Sequence, residues 1–393
     1  MNSNHPANNV EIKADYLKGK KIWLAVTGSV ACVETIGITR ELLRYSAEVT
    51  IVANRAALEL VGEKALEFAC GKPIIKEITG QVEHVIAGYE SDLLIIAPCC
   101  ATSLGKMVNG IGDNPPMLVA LTCIGAGTPM IVAPAMDKNM SKSEIVKKNI
   151  TKVKNFAKVI EPVMIEGKAK LPSKEKLIAE ACKIAGPKNL KGKKILIIGG
   201  GSCEPIDDVR VITNKSSGKM AISLSETAFA LGANVDLWLG NAIHEAGNWI
   251  QTTRFTTLSN LKNLIKKIEK YDAIIIPAAL ADFIPNKIKG KIDSTKPLEL
   301  KFKNAPKIIS DIRKKHKGLL YAFKLGSKIS EEELVIKAKT LLKSTDCVIA
   351  NYSEGLGSIE NKIAIVDKKN TEWISGNKNR LSKKILEKIA SEI

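Results

Sequence analysis

The chain has 393 residues, of which 45% are hydrophobic and 4% aromatic, so it fits two α/β domains of about 150–200 residues each better than one core. Its net charge of +18 comes from lysines spread along the chain, which we assign mainly to solvated helix faces and partly to the binding of small anions. The sequence lacks a clustered basic and aromatic surface, an apolar run of roughly 20 residues and a secretory signal, so we expect a cytoplasmic protein without nucleic-acid or membrane partners.

The first predicted element is a short buried strand that ends in a Gly/Ser turn, and the same pattern returns near the middle of the chain. Residues 17–29 read LKGKKIWLAVTGS and residues 190–202 read LKGKKILIIGGGS. Each predicts a parallel strand that leads into a helix N-terminus, where unpaired N–H groups bind phosphate. We therefore predict two doubly wound, parallel-sheet (Rossmann-like) domains, at residues 17–186 and 190–393, joined by a linker at 186–189.

Further strands and helices alternate along both halves. The predicted strands are Val49–Ala53, Asp92–Pro98, Met130–Pro134, Asn234–Gly240, Asp272–Ala279, Leu319–Leu325 and Cys347–Asn351. The predicted helices between them include Val33–Tyr45, Thr102–Asn109, Leu261–Lys270 and Glu331–Lys343. This alternation predicts parallel sheets that bind ligands at the carboxyl ends of their strands.

The first half contains a histidine just before a predicted strand, in the run HVIAGYESDLLIIAPCCATSLGKMVNGIGDN that starts at His84. A lone histidine is more often a core or surface group than a catalytic one. The run resembles the flavoprotein cysteine decarboxylase family, whose fold is flavodoxin-like, and Pro134-Ala135-Met136 resembles its substrate motif. The resemblance implies that FMN oxidises the cysteine end of the substrate so that CO₂ is lost, with His84 as the catalytic base. It also implies an FMN site formed by Thr27, Gly28, Ser29, Val30, Pro98, Thr102 and Ser103.

Two features of the first half depart from that family. Asp137 stands where the family has an asparagine that binds the substrate carboxylate, and a like charge there should weaken binding. We include Met136, Asp137 and nearby Asn139 in the substrate site, because Asn139 could replace the missing amide. The stretch 160–172 also lacks the cysteine that protonates the intermediate in bacterial relatives. Cys182 is not a suitable replacement, because it fits a buried position on a helix better than a place at the site. Either another acid such as Glu166 serves as the proton donor or this half has lost its reaction.

The second half contains a polar, glycine-rich signature, GGGSCEPIDDVRVITNKSSGKMA, from Gly199 to Ala221. Its hydroxyls, amide, lysines and helix N–H groups converge as an anionic phosphate requires. Gly199, Gly201 and Glu204 match the dinucleotide pattern only loosely. The signature resembles that of the phosphopantothenate–cysteine ligase family, with Ser202 in place of a threonine.

Other segments of the second half resemble the same family in the same order. They are Ala278–Phe283 (AALADF), Lys287-Ile288-Lys289, Asn304–Ile309 (NAPKII), Phe323 and 346–351 (DCVIAN). Gly290 interrupts the lysine run that the family has after position 289. Together these elements span most of residues 190–370.

The resemblance implies that CTP activates the carboxylate of 4′-phosphopantothenate as an acyl-cytidylate, which cysteine then attacks. Asn214 would hold this intermediate, Lys287 and Lys289 would stabilise charge, and Asp282 would bind the nucleotide or its Mg²⁺. The implied substrate residues are Arg210, Ser216, Ser217, Gly218 and Lys219. The implied CTP residues are Ala278, Ala279, Asp282, Lys289, Pro306, Lys307, Ile308, Ile309, Phe323, Lys339 and Lys343. Without the resemblance, Lys339 and Lys343 could equally be solvated side chains of a helix.

Three functional hypotheses remain open at this point. The first is a fusion of both enzymes, and the second keeps the ligase but makes the first half a non-catalytic flavin-binding or oligomerising module. The third is an NAD(P)-dependent reductase with two nucleotide folds. The resemblance also implies a homo-oligomer, with trimeric flavin domains and dimeric ligase domains.

Overall fold

A computed structural model describes residues 4–165, 168–268, 270–293, 295, 297–353 and 360–393. The chain divides into two compact units, unit 1 up to Pro187 and unit 2 from Lys188 onward. Glu166, the acid considered above as a proton donor, lies outside the described residues. Within the described residues, every helix is too short or too polar to cross a membrane.

Unit 1 is a layered α/β structure. Its strands are β1 (Lys21–Val26), β2 (Glu48–Ala53), β3 (Leu93–Cys99), β4 (Met130–Pro134), β5 (Met136–Asp137), β6 (Lys158–Val159), β7 (Val163–Ile165) and β8 (Lys168–Lys170). Its helices are α1 (Thr35–Arg44), α2 (Arg55–Val61), α3 (Glu63–Cys70), α4 (Glu83–Glu90), α5 (Ala101–Val108), α6 (Pro115–Ala126), α7 (Lys138–Lys142), α8 (Glu144–Val153) and α9 (Lys174–Ala185), with a 3-10 helix at Val30–Glu34.

The main sheet of unit 1 is parallel, with the strand order β2-β1-β3-β4-β6. The central strands are almost entirely buried, because helices cover both faces and the apolar runs have no solvent side. The helix predicted from Val33 begins instead as a 3-10 turn, and the Ser29 side chain caps this turn by accepting from the Ala31 N–H. A small antiparallel sheet, β5-β8-β7, lies after the end of β4.

Unit 2 repeats the layered arrangement. Its strands are β9 (Lys194–Gly199), β10 (Cys203–Pro205), β11 (Val211–Thr213), β12 (Asn234–Leu239), β13 (Gln251–Arg254), β14 (Ala273–Ile276), β15 (Phe283–Pro285), β16 (Phe302–Asn304), β17 (Leu319–Gly326), β18 (Cys347–Tyr352), β19 (Glu360–Asp367) and β20 (Thr371–Asn377). Its helices are α10 (Lys219–Ala230), α11 (Leu258–Lys266), α12 (Ile308–Lys315), α13 (Glu331–Leu341) and α14 (Lys378–Glu392).

The main sheet of unit 2 has the order β13-β12-β9-β14-β17-β18-β19-β20. Its first six strands are parallel, and five of them were predicted, whereas β13 was not. Strands β19 and β20 form an antiparallel extension that was not predicted either. Since β20 is antiparallel to β19, it runs in the same direction as the six parallel strands. The helix that follows β20 therefore begins at the carboxyl edge of the sheet.

Candidate active sites

The turn after β1 in unit 1 is held by a buried threonine. The Thr27 hydroxyl donates to the Pro98 carbonyl at 2.8 Å and accepts from the Cys100 N–H at 3.1 Å, which ties the ends of β1 and β3 together. Gly28 follows, where an added Cβ would lie 2.5 Å from the Cβ of Ala56. A side chain at this position would therefore displace the turn from its neighbouring helix.

A cavity of about 700 Å³ opens beside this turn. Its wall includes Ser29 and Val30 from the turn and Met136 and Asp137 from β5. The stretch 169–174, which begins in β8, also lines it. The cavity thus joins the predicted flavin turn, the predicted substrate motif and part of the stretch that lacks the expected cysteine.

Asp137 takes a defined structural role at this cavity. Its carboxylate Oδ1 accepts from the Asn139 N–H at 2.7 Å and so caps the first turn of α7. Asn139 is exposed and does not line the cavity, and it lies in the first turn of α7. Asp137 therefore lies on the cavity wall, whereas Asn139 does not.

His84 lies in the first turn of α4, whose start is held by hydrogen bonds from Thr79 to the Glu83 carboxylate. The hydroxyl and N–H of Thr79 together lower the pKa of Glu83. The Nδ1 atom of His84 is buried and has no hydrogen-bond partner among the described residues. His84 is not part of the wall of the 700 Å³ cavity.

Of the other predicted flavin residues of unit 1, Pro98 lies near the end of β3, and Thr102 and Ser103 lie in the first turn of α5. Ser103 is buried, and its hydroxyl is 3.3 Å from the Cys100 thiol, whereas Thr102 is exposed on the first turn of α5. Neither residue lines the cavity. Cys182 is fully buried in α9, and burial raises the pKa of its thiol well above the ordinary value, which fits a core residue.

In unit 2 the strand β9 ends in a turn that only glycine accommodates. Gly200 has a φ of +76°, and an added Cβ would lie 2.8 Å from the backbone of Gly240. The Gly200 carbonyl accepts from the Ala279 N–H at 2.8 Å, so the turn lies directly against the loop after β14. Both loops project from the carboxyl edge of the sheet.

The signature segment and the loop after β14 are joined by two side-chain hydrogen bonds. The Asn214 Nδ2 group donates to the Leu280 carbonyl at 2.9 Å, and the Ser202 hydroxyl accepts from the Ala281 N–H at 3.0 Å. The amide of Asn214 thereby holds the loop that the sequence assigns to CTP.

A cavity of about 580 Å³ lies between these segments. The predicted residues on its wall are Asn214, Ser216, Ser217, Gly218, Lys219, Ala278, Ala279, Asp282 and Phe323. The wall residues to which the sequence assigned no role include the polar side chains of Lys324, Asn351, Asn361 and Lys378. Lys324 follows Phe323 and Asn351 ends the DCVIAN run, so those two could have been found, whereas Asn361 and Lys378 carry no motif.

Arg210 and Lys287 form ion pairs beside the cavity rather than on its wall. Arg210 pairs with Asp207 at 2.9 Å and donates to the Ile292 carbonyl, while Lys287 pairs with Asp208 at 2.7 Å. The N–H groups of Ile292 and Arg210, with the Arg210 charge, lower the pKa of Asp207 to about 2. These bonds fasten the signature loop to the loop that contains the predicted phosphate-binding lysines.

The remaining predicted CTP residues also lie off the cavity wall. Pro306 and Lys307 precede α12, and Ile308 and Ile309 are its first residues, with Ile308 buried in the core. Lys289, Lys339 and Lys343 are exposed, and Lys343 follows the end of α13. Their roles stay predictions.

Both halves of the chain match known families. Residues 11–186 match the model described as Flavoprotein, and residues 190–393 match the model described as DNA/pantothenate metabolism flavoprotein C-terminal domain. Among solved structures, the DNA/pantothenate metabolism flavoprotein from Streptococcus pneumoniae is 27% identical, with a TM-score of 0.47, and the match covers 51% of this chain and 100% of that one.

Curated relatives match over nearly the whole chain, among them two archaeal proteins. The coenzyme A biosynthesis bifunctional protein CoaBC of Thermococcus kodakarensis is 38% identical over 365 residues, which are 90% of each chain. The protein of the same name from Methanocaldococcus jannaschii is 35% identical over 396 residues, which cover 98% of this chain and 97% of that one. The chain therefore belongs to the family of bifunctional coenzyme A biosynthesis proteins.

Proposed function

We propose that unit 2 joins 4′-phosphopantothenate to cysteine with CTP, through an acyl-cytidylate, and that unit 1 then decarboxylates the product to 4′-phosphopantetheine with FMN. The chain is a bifunctional enzyme of coenzyme A biosynthesis, with a decarboxylase domain and a ligase domain. The finer assignment depends on one observation, the shared cavity of the signature segment and the loop at 278–282.

The chemistry of that cavity suits two anionic substrates. Lysines, serine hydroxyls and the start of α10 surround it, and these groups favour phosphates and a developing negative charge. Asn214 would fix the nucleotide loop while its neighbours hold the acid, so that the carboxylate and the α-phosphate of CTP meet. The amine of cysteine would then displace CMP.

Mg²⁺ fits this cavity as a partner of the nucleotide rather than of the protein alone. Asp282 is the acidic residue on the described wall, and no cluster of three or more His, Cys, Asp or Glu residues occurs among the described positions. Magnesium is often held by one or two carboxylates together with substrate phosphates. We therefore assign Asp282 to the ion and the rest of its ligands to CTP and water.

The turn after β1 and the cavity of unit 1 fit a flavin. The backbone at Gly28 leaves no space for a side chain, and the volume of about 700 Å³ lies within the range of about 300–1,000 Å³ for ligand pockets. Bound FMN supplies the oxidation that makes loss of CO₂ possible. Thr27 to Val30 would hold it, and the unpartnered Nδ1 of His84 supports a role for this side chain in proton transfer.

We also propose the domain bounds 17–186 and 190–393, which the compact units and the two family matches support. The trimeric flavin domains and dimeric ligase domains, and a cytoplasmic location, are proposed on the family resemblance.

Asn214→Asp is the test of the ligase site. The aspartate keeps the size of the side chain but cannot donate to the Leu280 carbonyl, and it adds a negative charge beside CTP. We expect CMP formation from CTP, 4′-phosphopantothenate and cysteine to fall about a hundredfold or more, with the flavin absorbance unchanged.

The matched control is Asn263→Asp, an exposed asparagine on α11 whose Oδ1 accepts from Lys266, as a carboxylate would. It should leave CMP formation unchanged. Undiminished turnover of Asn214→Asp would refute the assignment of the ligase site.

A further inference from the structure

The cavity of unit 2 is strongly basic. Of the described residues on its wall, Lys215, Lys219, Lys324 and Lys378 are cationic, and only Asp282 is acidic. Three of these lysines lie in or beside segments already assigned from the sequence. Lys378 does not, because it is the first residue of the C-terminal helix α14.

The position of Lys378 is fixed by the packing of α14 against α10. The Ser223 hydroxyl of α10 is 2.9 Å from the Ser382 hydroxyl and 3.0 Å from the Asn379 Oδ1, and Ser382 also contacts the Met220 sulfur. The first turns of the two helices therefore lie side by side. Both helices begin at the carboxyl edge of the sheet, where the cavity opens.

Lys219 and Lys378, the first residues of these two helices, both line the cavity. Burial, and in second place the charge of Lys219, lower the pKa of Lys378 from its ordinary value. A doubly charged anion bound at this part of the wall would gain charge-assisted hydrogen bonds from both lysines.

The arrangement selects a compact dianion. A phosphate monoester carries close to two negative charges at neutral pH and three acceptor oxygens. The hydroxyls of Ser216 and Ser217 lie on the same wall and can donate to it. The nucleotide loop at 278–282 instead contributes Asp282, which suits a metal-bound triphosphate better than a free monoester.

We propose that Lys378 and Lys219 together bind the phosphate monoester of the acid substrate, so that the C-terminal helix takes part in substrate selection. This inference depends on the proposed ligase function of unit 2. It adds to that function a specificity residue at a position that carries no recognisable motif.

The test is the steady-state kinetics of Lys378→Gln with saturating cysteine. Loss of one charged hydrogen-bond partner should raise the KM for 4′-phosphopantothenate about tenfold to a hundredfold. The KM for CTP and the kcat should change less than about twofold, because the remaining contacts still align the reacting groups. Lys378→Arg should recover most of the loss.

Two further variants separate this role from a structural one. Lys384→Gln, on α14 but paired with Glu387, should behave as the wild type, whereas Lys219→Gln on α10 should raise the same KM as Lys378→Gln does. An unchanged KM for 4′-phosphopantothenate in Lys378→Gln, or an equal rise in the KM for CTP, would overturn the Lys378 assignment alone. A wild-type enzyme that forms no CMP from CTP would overturn the ligase function as well.

Discussion

In unit 2, the segment from Asn214 to Ala221 and the loop from Ala278 to Asp282 line one cavity. In unit 1, the cavity wall holds Ser29, Val30, Met136 and Asp137, but His84 lies outside it. The two units differ because the predicted residues of unit 2 lie on loops at the sheet edge, whereas His84 lies on a helix. Loops that leave neighbouring parallel strands at the same edge meet without further help, whereas a residue on the first turn of a separate helix is positioned by that helix.

The largest effect is expected from His84→Asn in unit 1. If His84 works on the substrate of unit 1 despite its position off the cavity wall, CO₂ release from phosphopantothenoylcysteine should fall about 10²–10⁴-fold, the usual contribution of a positioned acid or base. The flavin absorbance and CMP formation should persist.

His244→Asn makes the same chemical change at an exposed site in unit 2 and should leave CO₂ release unaltered. Near-normal release by His84→Asn would show that the base lies elsewhere. A wild-type protein that binds flavin but releases no CO₂ would instead favour a non-catalytic unit 1.

The second prediction concerns the backbone turn of unit 1. Gly28→Ala places a Cβ 2.5 Å from that of Ala56, so the turn must move. Its N–H groups then no longer point toward the position proposed for the FMN phosphate. Overpacking of this kind costs about 1–3 kcal/mol, and we expect the Kd for FMN to rise about tenfold, measured by flavin titration of the apoprotein.

Gly125→Ala is the control for this turn, because nothing lies within 4 Å of an added Cβ there. It should retain full flavin affinity. Equal affinity in both variants would place the flavin away from Gly28.

The smallest effect is expected from Asp137→Asn, which changes the charge on the wall of the unit 1 cavity. Asparagine still accepts from the Asn139 N–H and caps α7, but it removes a negative charge from the cavity wall. The KM for phosphopantothenoylcysteine should fall about fivefold, as expected for relief of about 1 kcal/mol of repulsion between exposed charges.

Asp293→Asn is a suitable comparison, since Asp293 also accepts from an N–H two residues later but lies in unit 2. It should not change this KM. If Asp137→Asn lowers turnover instead, Asp137 takes part in the reaction and the repulsion model is wrong.

The sequence alone determined the parallel strands and the signature segments, because both depend on local patterns. The buried strand β4 was predicted with its observed bounds, whereas the strand predicted for Asp272–Ala279 ends at Ile276, before Pro277. Strands β19 and β20 were missed, since they follow the last motif and pair in the opposite direction.

Which of the predicted residues share a cavity depends on packing between elements that are distant in the chain. Arg210 and Lys287 have the charge expected of phosphate-binding residues, yet both pair with aspartates of the signature loop. Lys378 has no motif at all and reaches the cavity because α14 packs beside α10. Charge and local pattern can be read from the sequence. The packing of helices and strands sets the distance between side chains that are far apart in the chain.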